Sequence, residues 1–511
     1  MTKFYITTAI DYPNASPHVG TAYEKIGADA IARWRRLCGD DVYFLMGNDE
    51  NSQKVVEKAQ ELKLDGLAYC DQMGEKFKAA WGKLSLSYDR FIRTTEKAHH
   101  DGVQEIFRRL AAKGDIYKGL YKGLYCVGCE ARKMEKDLVN GKCKDHPARA
   151  IEHREEENYF FKLTSYRDRL RDIIKSGELI VAPDFRKNEV LAVLEEGLED
   201  ISVSRAKTTW GVPVPGDPDH VVYVWFDALI NYATGVGFPG PSRWWPADVH
   251  IIGKDITRFH CIIWPAMLLG AGVALPKKVF AHGFVYLSGE KISKSGKRLD
   301  PAKVADTFGG DALRYFLLRE IAFDNDGDFT WEKFAERFNG ELANGLGNLL
   351  NRVVSMTEKN LGGVFASEGA VLPQDGALKD RLVSLADRVA PHYEAYAFHL
   401  ALNEIWEAIY QANRYLDDTK PWTLAKQGKA AEVAGSLKNA AEALRIIAIL
   451  LQPVIPGTCA KIWEQLGLGP ISATRLADAK TWPGIKTGTR VAKAAALFPR
   501  LEAVPNAEGF V

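Results

Sequence analysis

Apolar residues follow two rhythms along the chain. From residue 1 to about 116, short apolar runs alternate with stretches of helical period: Phe4–Ile10 reads as a buried strand, His18–Leu37 as a helix, Asp41–Leu45 as a strand and Ser52–Leu62 as a helix, with helical character continuing to Trp81. Strands interleaved with helices predict a parallel sheet. Between 117 and about 220 the rhythm breaks into a cysteine cluster, a charged run from Glu152 to Glu157 and turn-rich connections around Trp210-Gly211-Val212-Pro213. This segment reads as an insertion, because three further apolar strands follow it: Val221–Phe226, Val249–Ile252 and Val279–Phe284. Beyond about Asp328 the pattern is purely helical, with Phe334, Phe338, Leu342, Leu346, Leu349, Leu350 and Val353 at spacings of one, three and four, then Leu400–Leu416 and Ala440–Leu451. The expected fold is α/β: a parallel-sheet domain in two halves, 1–116 and 221–327, split by an insertion at 117–220, followed by an all-α region and tail at 328–511. The last stretch, Ala492–Val511, is expected as an extended tail or short helix.

At 511 residues, 46% of them hydrophobic, the chain has room for about three domains. The formal charge of +1 supplies no global field for a polyanion, so contact with nucleic acid has to come from local patches and shape. No apolar run approaches the ~18 residues that span a membrane, and the opening MTKFYITTAIDYP reads as strand and turn rather than a secretion or transit segment. A cytoplasmic protein is expected. Three of the seven cysteines fall in one segment, which favours a metal site in a reducing compartment over a disulfide framework. There, Cys126-x2-Cys129 and Cys143-x2-His146 stand thirteen residues apart, two ligand pairs at the separations of a closed, structural tetrahedral zinc; three free thiols are the competing reading. Cys38, Cys70, Cys261 and Cys459 are isolated and expected to be buried and inert.

Two segments carry phosphate chemistry. Glu290 to Arg298 gathers four cations and two hydroxyls in nine residues, with Lys291, Lys294, Ser293 and Ser295 able to bind a polyphosphate and Gly289 and Gly296 marking a loop able to close over it. About 270 residues earlier, His18-Val19-Gly20-Thr21 opens a helix directly after a strand and a turn. Helix starts attract anions, a histidine there can donate to phosphate oxygen, and a glycine lets a nucleotide approach the backbone. An exposed basic loop is the competing reading of the first segment taken alone.

In this order the pair resembles the HIGH-type and KMSKS-type signatures of class I aminoacyl-tRNA synthetases. The resemblance narrows to the methionyl-tRNA synthetases at Ala9-Ile10-Asp11-Tyr12-Pro13-Asn14, Gly47-Asn48-Asp49-Glu50, Tyr223 to Tyr232, His250 to Ile256, Phe259-His260 and Trp264 to Met267, covering nearly the whole chain. It implies a Rossmann-like catalytic domain, ATP with Mg2+, L-methionine and tRNA(Met) as ligands, and one structural zinc on Cys126, Cys129, Cys143 and His146 in the connective insertion. It further implies Asp49 and the Ile10 backbone for the substrate ammonium, and Tyr12, Trp225, Ala228, Tyr232, Ile256 and His260 around the side chain. ATP would meet His18, Gly20, Thr21, Glu24, Gly253, Asp255 and Lys294, and Arg205 is a candidate near the reacting groups. Two departures from the family pattern stand out: Thr21 where a second histidine is common, and Asn51-Ser52 where His-Gly is common.

In the activation reaction, negative charge grows on the α-phosphorus and on the departing pyrophosphate, so fixed donors are what catalysis needs. His18 would donate, with no general-base role. A donor from Tyr232 or His260 aimed at the thioether would discriminate where shape alone is worth only about 1–3 kcal/mol per methylene.

For the tRNA, the resemblance places anticodon contacts at Asn348 and Arg352, one turn apart on a helix, and at Trp422. A solvated helix face and a buried indole compete with that reading. The extra C-terminal module of some relatives is not seen, so a monomer is expected. Other class I synthetases, for leucine, isoleucine, valine or cysteine, and a non-catalytic RNA-binding paralogue are the alternatives.

Overall fold

The computed structural model describes the chain apart from residues 1, 127–130, 134, 136, 137, 145, 146, 148, 207, 292–297 and 511. Six strands form one all-parallel sheet in the order Arg90–Arg93, Asp41–Asn48, Lys3–Thr8, Val249–Gly253, Lys278–His282, Ile180–Ala182. The central ones are covered on both sides, which is why they read as apolar runs without alternation. The strand order reverses between Lys3–Thr8 and Val249–Gly253, and such a reversal opens a crevice at the carboxyl ends of the strands. Ala9, Ile10 and Asp11 leave the first strand there, and Gly253, Lys254 and Asp255 leave the second. Across the opening, Ala9 N–H still donates to Ile251 O at 3.2 Å, and Asp11 N–H donates to Gly47 O at 3.0 Å.

Two elements differ from the sequence expectation. Val221–Phe226 is not a strand of this sheet: residues Asp217–Val222 belong to a separate three-stranded antiparallel sheet, and Val224–Leu229 is helical. An apolar run of six has no period that distinguishes a strand from a buried helical turn. Conversely, Ile180–Ala182, inside the segment read as insertion, pairs with Lys278–His282 as the outer strand of the main sheet. The rest of 117–220 is built on an antiparallel hairpin, Ile116–Cys126 with Ile151–Phe161, registered from Ile116↔Phe161 to Cys126↔Ile151.

The C-terminal part is helical. Trp331–Arg337, the π-helical Phe338–Gly347 and Asn348–Leu361 run on directly from one another, and Phe398–Thr419 and Ala430–Leu451 form the centre of the bundle. The tail folds back: Phe510 packs on Phe308 and Trp331, and its carbonyl accepts from Asp300 N–H at 2.8 Å.

Candidate active site

The helix Val19–Leu37 starts at the mouth of the crevice with His18 as its N-cap. Gly20 and Thr21 donate their N–H groups to His18 Nδ1 at 3.1 and 3.3 Å, so Nδ1 carries no proton and Nε2 carries the one on the neutral ring. The Thr21 hydroxyl completes a capping box, accepting from His18 N–H at 3.0 Å and donating to His18 O at 2.7 Å. Thr21 is thus committed to the helix start. Gly20 serves the imidazole: a Cβ at this position would stand 3.0 Å from the His18 ring. No acidic residue occupies the first turn, and its N–H groups are taken within the protein, that of Val19 by Leu299 O and those of Gly20 and Thr21 by His18 Nδ1.

Within the basic segment, Ser293, Lys294 and Ser295 lie outside the described residues. Their flanks are placed. Lys291 pairs through its backbone with Tyr286, and Leu299 O accepts from Val19 N–H at 2.9 Å. That single bond brings the end of the basic segment to the residue next to His18. Arg298 lines a cavity of ≈ 450 Å³ together with Asn14, Ala15, Ser16, Lys58 and Lys76.

Deeper in the crevice, Asp49 is buried and its N–H donates to Asp11 O at 2.9 Å. Trp225 stacks on Phe259 with centroids 4.0 Å apart and meets Tyr12 edge-on at 6.2 Å. Phe259 was not singled out as a contact in the sequence; only the aromatic neighbour of His260 hinted at it. Tyr232 and His260 are both buried and satisfy one another. His260 Nδ1 faces Ile256 O at 3.0 Å and must donate there, which leaves Nε2 to accept from the Tyr232 hydroxyl at 2.7 Å. Burial lowers the His260 pKa to about 4, against a smaller opposing effect of the Ile256 carbonyl, so the ring is neutral at pH 7. His260 therefore offers no donor to a thioether in this arrangement, and the Tyr232 proton is already engaged. Ala228 is buried and Ile256 half-buried.

Asn51, one of the two departures, now has a reason: its amide donates to Asp227 Oδ2 at 2.7 Å and to Thr94 O at 3.0 Å. His99 Nε2 holds the other oxygen of Asp227 at 2.6 Å, and all three side chains are buried. This ties the Asp49 segment to the helix carrying Trp225 and Ala228.

On the nucleotide side, Asp255 is exposed directly beyond the strand, and Gly253 leaves room for its carboxylate, which stands 2.7 Å from where a Cβ would be. Glu24, the expected adenosine contact, lies on the His18 helix. It is 6% exposed, with one oxygen on Lys25 at 2.7 Å and the other on His282 at 3.0 Å. Arg205 donates to Ser204 O and Ser202 Oγ and lies 4.2 Å over the Tyr223 ring.

Of the four expected zinc ligands, Cys129 and His146 lie outside the described residues. Cys126 and Cys143 are buried. Cys70, Cys261 and Cys459 sit in the large apolar cores, and Cys126 and Cys143 lie outside them. Among the described residues, no group of three or more His, Cys, Asp or Glu converges as a metal site. Cys38 is exposed, contrary to expectation, because it caps the end of the His18 helix at the surface.

In the helical part, Trp422 is 38% exposed, which removes the buried-indole reading. The Arg352 guanidinium lies 5.3 Å over its ring and donates to Asp417 at 2.7 Å. Asn348 is exposed one turn earlier on the same helix.

A parallel sheet open at its reversal point, with a histidine-capped helix and the end of a basic segment hydrogen-bonded together at that opening, defines the catalytic domain of a class I aminoacyl-tRNA synthetase. Residues 4–147 and 128–354 match the family described as "tRNA synthetases class I (M)", and residues 375–498 match "Anticodon-binding domain of tRNA ligase". The methionine–tRNA ligase of Thermotoga maritima is 43% identical over 513 residues, spanning 98% of this chain and 81% of that protein. Among solved structures, Mycobacterium tuberculosis methionyl-tRNA synthetase in complex with methionyl-adenylate superposes with a TM-score of 0.92 at 43% identity, covering 98% of this chain and all of that one. Its apo form superposes with a TM-score of 0.86 at 41% identity, covering 98% and 99%. The chain belongs to the methionyl-tRNA synthetase family. No helix among the described residues is long and apolar enough to cross a membrane.

Proposed function

We infer that this protein is a methionine–tRNA ligase acting in translation. The methionine carboxylate attacks the α-phosphorus of Mg2+-bound ATP, giving methionyl-adenylate and pyrophosphate, and the methionyl group then passes to the 3′ end of tRNA(Met). The observation that carries this reading is the Val19–Leu299 hydrogen bond, which joins the two phosphate-binding segments at the crevice that holds Ile10, Asp49 and the Trp225 pocket.

In this reading His18 Nε2–H donates to a phosphate oxygen as charge develops, an effect worth about 10²–10³ in rate for one fixed donor. Lys291, Ser293, Lys294 and Ser295 close on the polyphosphate. Asp49 and the Ile10 backbone take the substrate ammonium, and Tyr12, Trp225, Ala228, Tyr232, Ile256 and His260 enclose the thioether. Gly20, Gly253 and Asp255 border the nucleoside. Thr21 supports the helix start rather than the phosphate, and Glu24 acts behind the site. Asn348, Arg352 and Trp422 read the anticodon, with a base stacked on the exposed indole.

Residues 1–116 and 221–327 make up the catalytic domain, 117–220 the connective insertion that lends one strand to the sheet, and 328–511 the anticodon-binding region and tail. Cys126, Cys129, Cys143 and His146 would hold one zinc ion, whose contribution is to clamp the insertion. The enzyme is read as a cytoplasmic monomer.

Methionine-dependent ATP–pyrophosphate exchange together with charging of tRNA(Met) tests the central claim. Exchange with leucine or cysteine in place of methionine, or with no amino acid at all, overturns it. Metal analysis is expected to return one zinc per chain, and light scattering a single-chain mass.

A further inference from the structure

Lys25 lies in the middle of the buried face of the His18 helix and is 1% exposed. Its ammonium has three donors, and each has one acceptor: Ala9 O at 2.7 Å, Asp11 Oδ1 at 3.2 Å and Glu24 Oε1 at 2.7 Å. Glu24 in turn reaches His282 at 3.0 Å, and His282 Nδ1 contacts Gly283 O at 2.7 Å. Stability does not call for such a group. Three residues to either side on the same face stand Ala22 and Ala28, both apolar, and replacing buried ions by well-packed apolar side chains is often neutral or stabilising.

What the ammonium does hold is one particular peptide. Ala9 C=O and Ile10 N–H belong to the same planar trans unit and point in opposite directions. Fixing Ala9 O on Lys25 therefore aims Ile10 N–H away from Lys25. The next peptide is held from its other end, because Asp11 N–H donates to Gly47 O at 3.0 Å, which turns Ile10 C=O the opposite way. Asp11 O is fixed as well, by Asp49 N–H at 2.9 Å. Between these clamps, the N–H and C=O of Ile10 have no protein partner among the described residues. They are an oriented donor and acceptor at the point where the sheet opens.

We propose that Lys25 is a positioning residue for methionine, which acts by holding the Ala9–Ile10 peptide so that Ile10 N–H faces an acceptor atom of the amino acid beside Ile10 C=O, which takes its ammonium, with Asp11 and Glu24 as the fixed counter-ions of Lys25. This rests on the functional reading above, and it concerns amino-acid binding rather than ATP binding.

The test compares the unmodified protein with Lys25→Met, the double variant Lys25→Met/Asp11→Asn, and Asp11→Asn alone in the exchange assay. KM for methionine and for ATP are measured separately, with melting curves as a check on folding. Loss of a charge-assisted hydrogen bond that acts on substrate only through Ile10 is expected to raise methionine KM about tenfold in both variants lacking Lys25, with ATP KM changed by less than about twofold. Asp11→Asn, which removes one counter-ion but leaves the Lys25–Ala9 bond in place, is expected to raise methionine KM by less than either variant lacking Lys25. Should Lys25→Met fail to fold because it leaves carboxylates unpaired, the double variant, which also neutralises Asp11, decides. Equal rises in both KM values, or no rise in methionine KM, overturn the proposal. Absence of methionine-dependent exchange in the unmodified protein is a different result, and overturns the functional reading itself.

Discussion

In the proposed function His18 uses its two ring nitrogens for two purposes. Nδ1 accepts from the first turn of the helix, and this places the proton of the neutral ring on Nε2. The sequence identifies the histidine and its helix start, but the tautomer follows only from the three-dimensional cap. His18→Asn separates the two purposes, because asparagine is a good N-cap acceptor but has no group in place of Nε2–H. Its melting temperature is expected to stay close to that of the unmodified protein, while the exchange rate falls about 10²–10³-fold with methionine KM little changed. An equal loss of stability and rate would assign His18 to the cap alone. The Tyr232–His260 pair shows the same limit of sequence reading. Both residues are recognisable as pocket candidates, yet their donors are consumed by each other and by Ile256 O.

At the scale of the element, the helix Val19–Leu37 is more than an amphipathic rod, since Lys25 and Asp29 sit on its buried face. Asp29 Oδ1 accepts from Ser87 N–H and Oγ at 2.7 and 2.6 Å, and Oδ2 faces Arg33 Nε and Arg314 at 2.7 Å each. Burial alone would raise the Asp29 pKa, but the two arginines and Ser87 outweigh it and hold the carboxyl at about 2, below its usual 3.8. A lowered carboxyl pKa contributes stability that is present above about pH 4 and lost as pH falls through about 2, here on the order of 2 kcal/mol. Asp29→Asn is therefore expected to lower stability at pH 7 and to flatten the acid limb of a denaturation series between pH 4 and 2. An unchanged acid limb would remove Asp29 from that role. Charges at 25 and 29 within an apolar helical stripe were the available sequence signal for these contacts. Their partners, Ala9, Ser87 and Arg314, were not signalled, because no local period links a helix to a loop or strand distant in the chain.

In the whole molecule, Arg314 joins what the chain order separates. Fully buried, it donates to Val454 O at 2.7 Å, Pro453 O at 2.9 Å and Leu84 O at 3.1 Å while pairing with Asp29, so the helical part is fastened to the helix that carries His18. The proposed roles of Trp422 and His18 nonetheless fall on different parts of the chain and are separable by assay. Trp422→Ala is expected to reduce kcat/KM for tRNA charging about tenfold, the value of one lost base stack, and to leave pyrophosphate exchange unchanged. Equal damage to both assays would place Trp422 in the fold rather than at the anticodon.

Periodicity and motif order in the sequence determined the α/β class and the helical C-terminal part and marked the two segments proposed to bind phosphate, because each is written in neighbouring residues. The tertiary structure alone decided that Val249–Gly253 lies beside Lys3–Thr8, that Ile180–Ala182 closes the sheet, that residues 224–229 turn helical and that Lys25 grips Ala9. Those outcomes depend on which distant surfaces bury one another and which buried polar groups find partners, and neither is expressed in any local stretch of the chain.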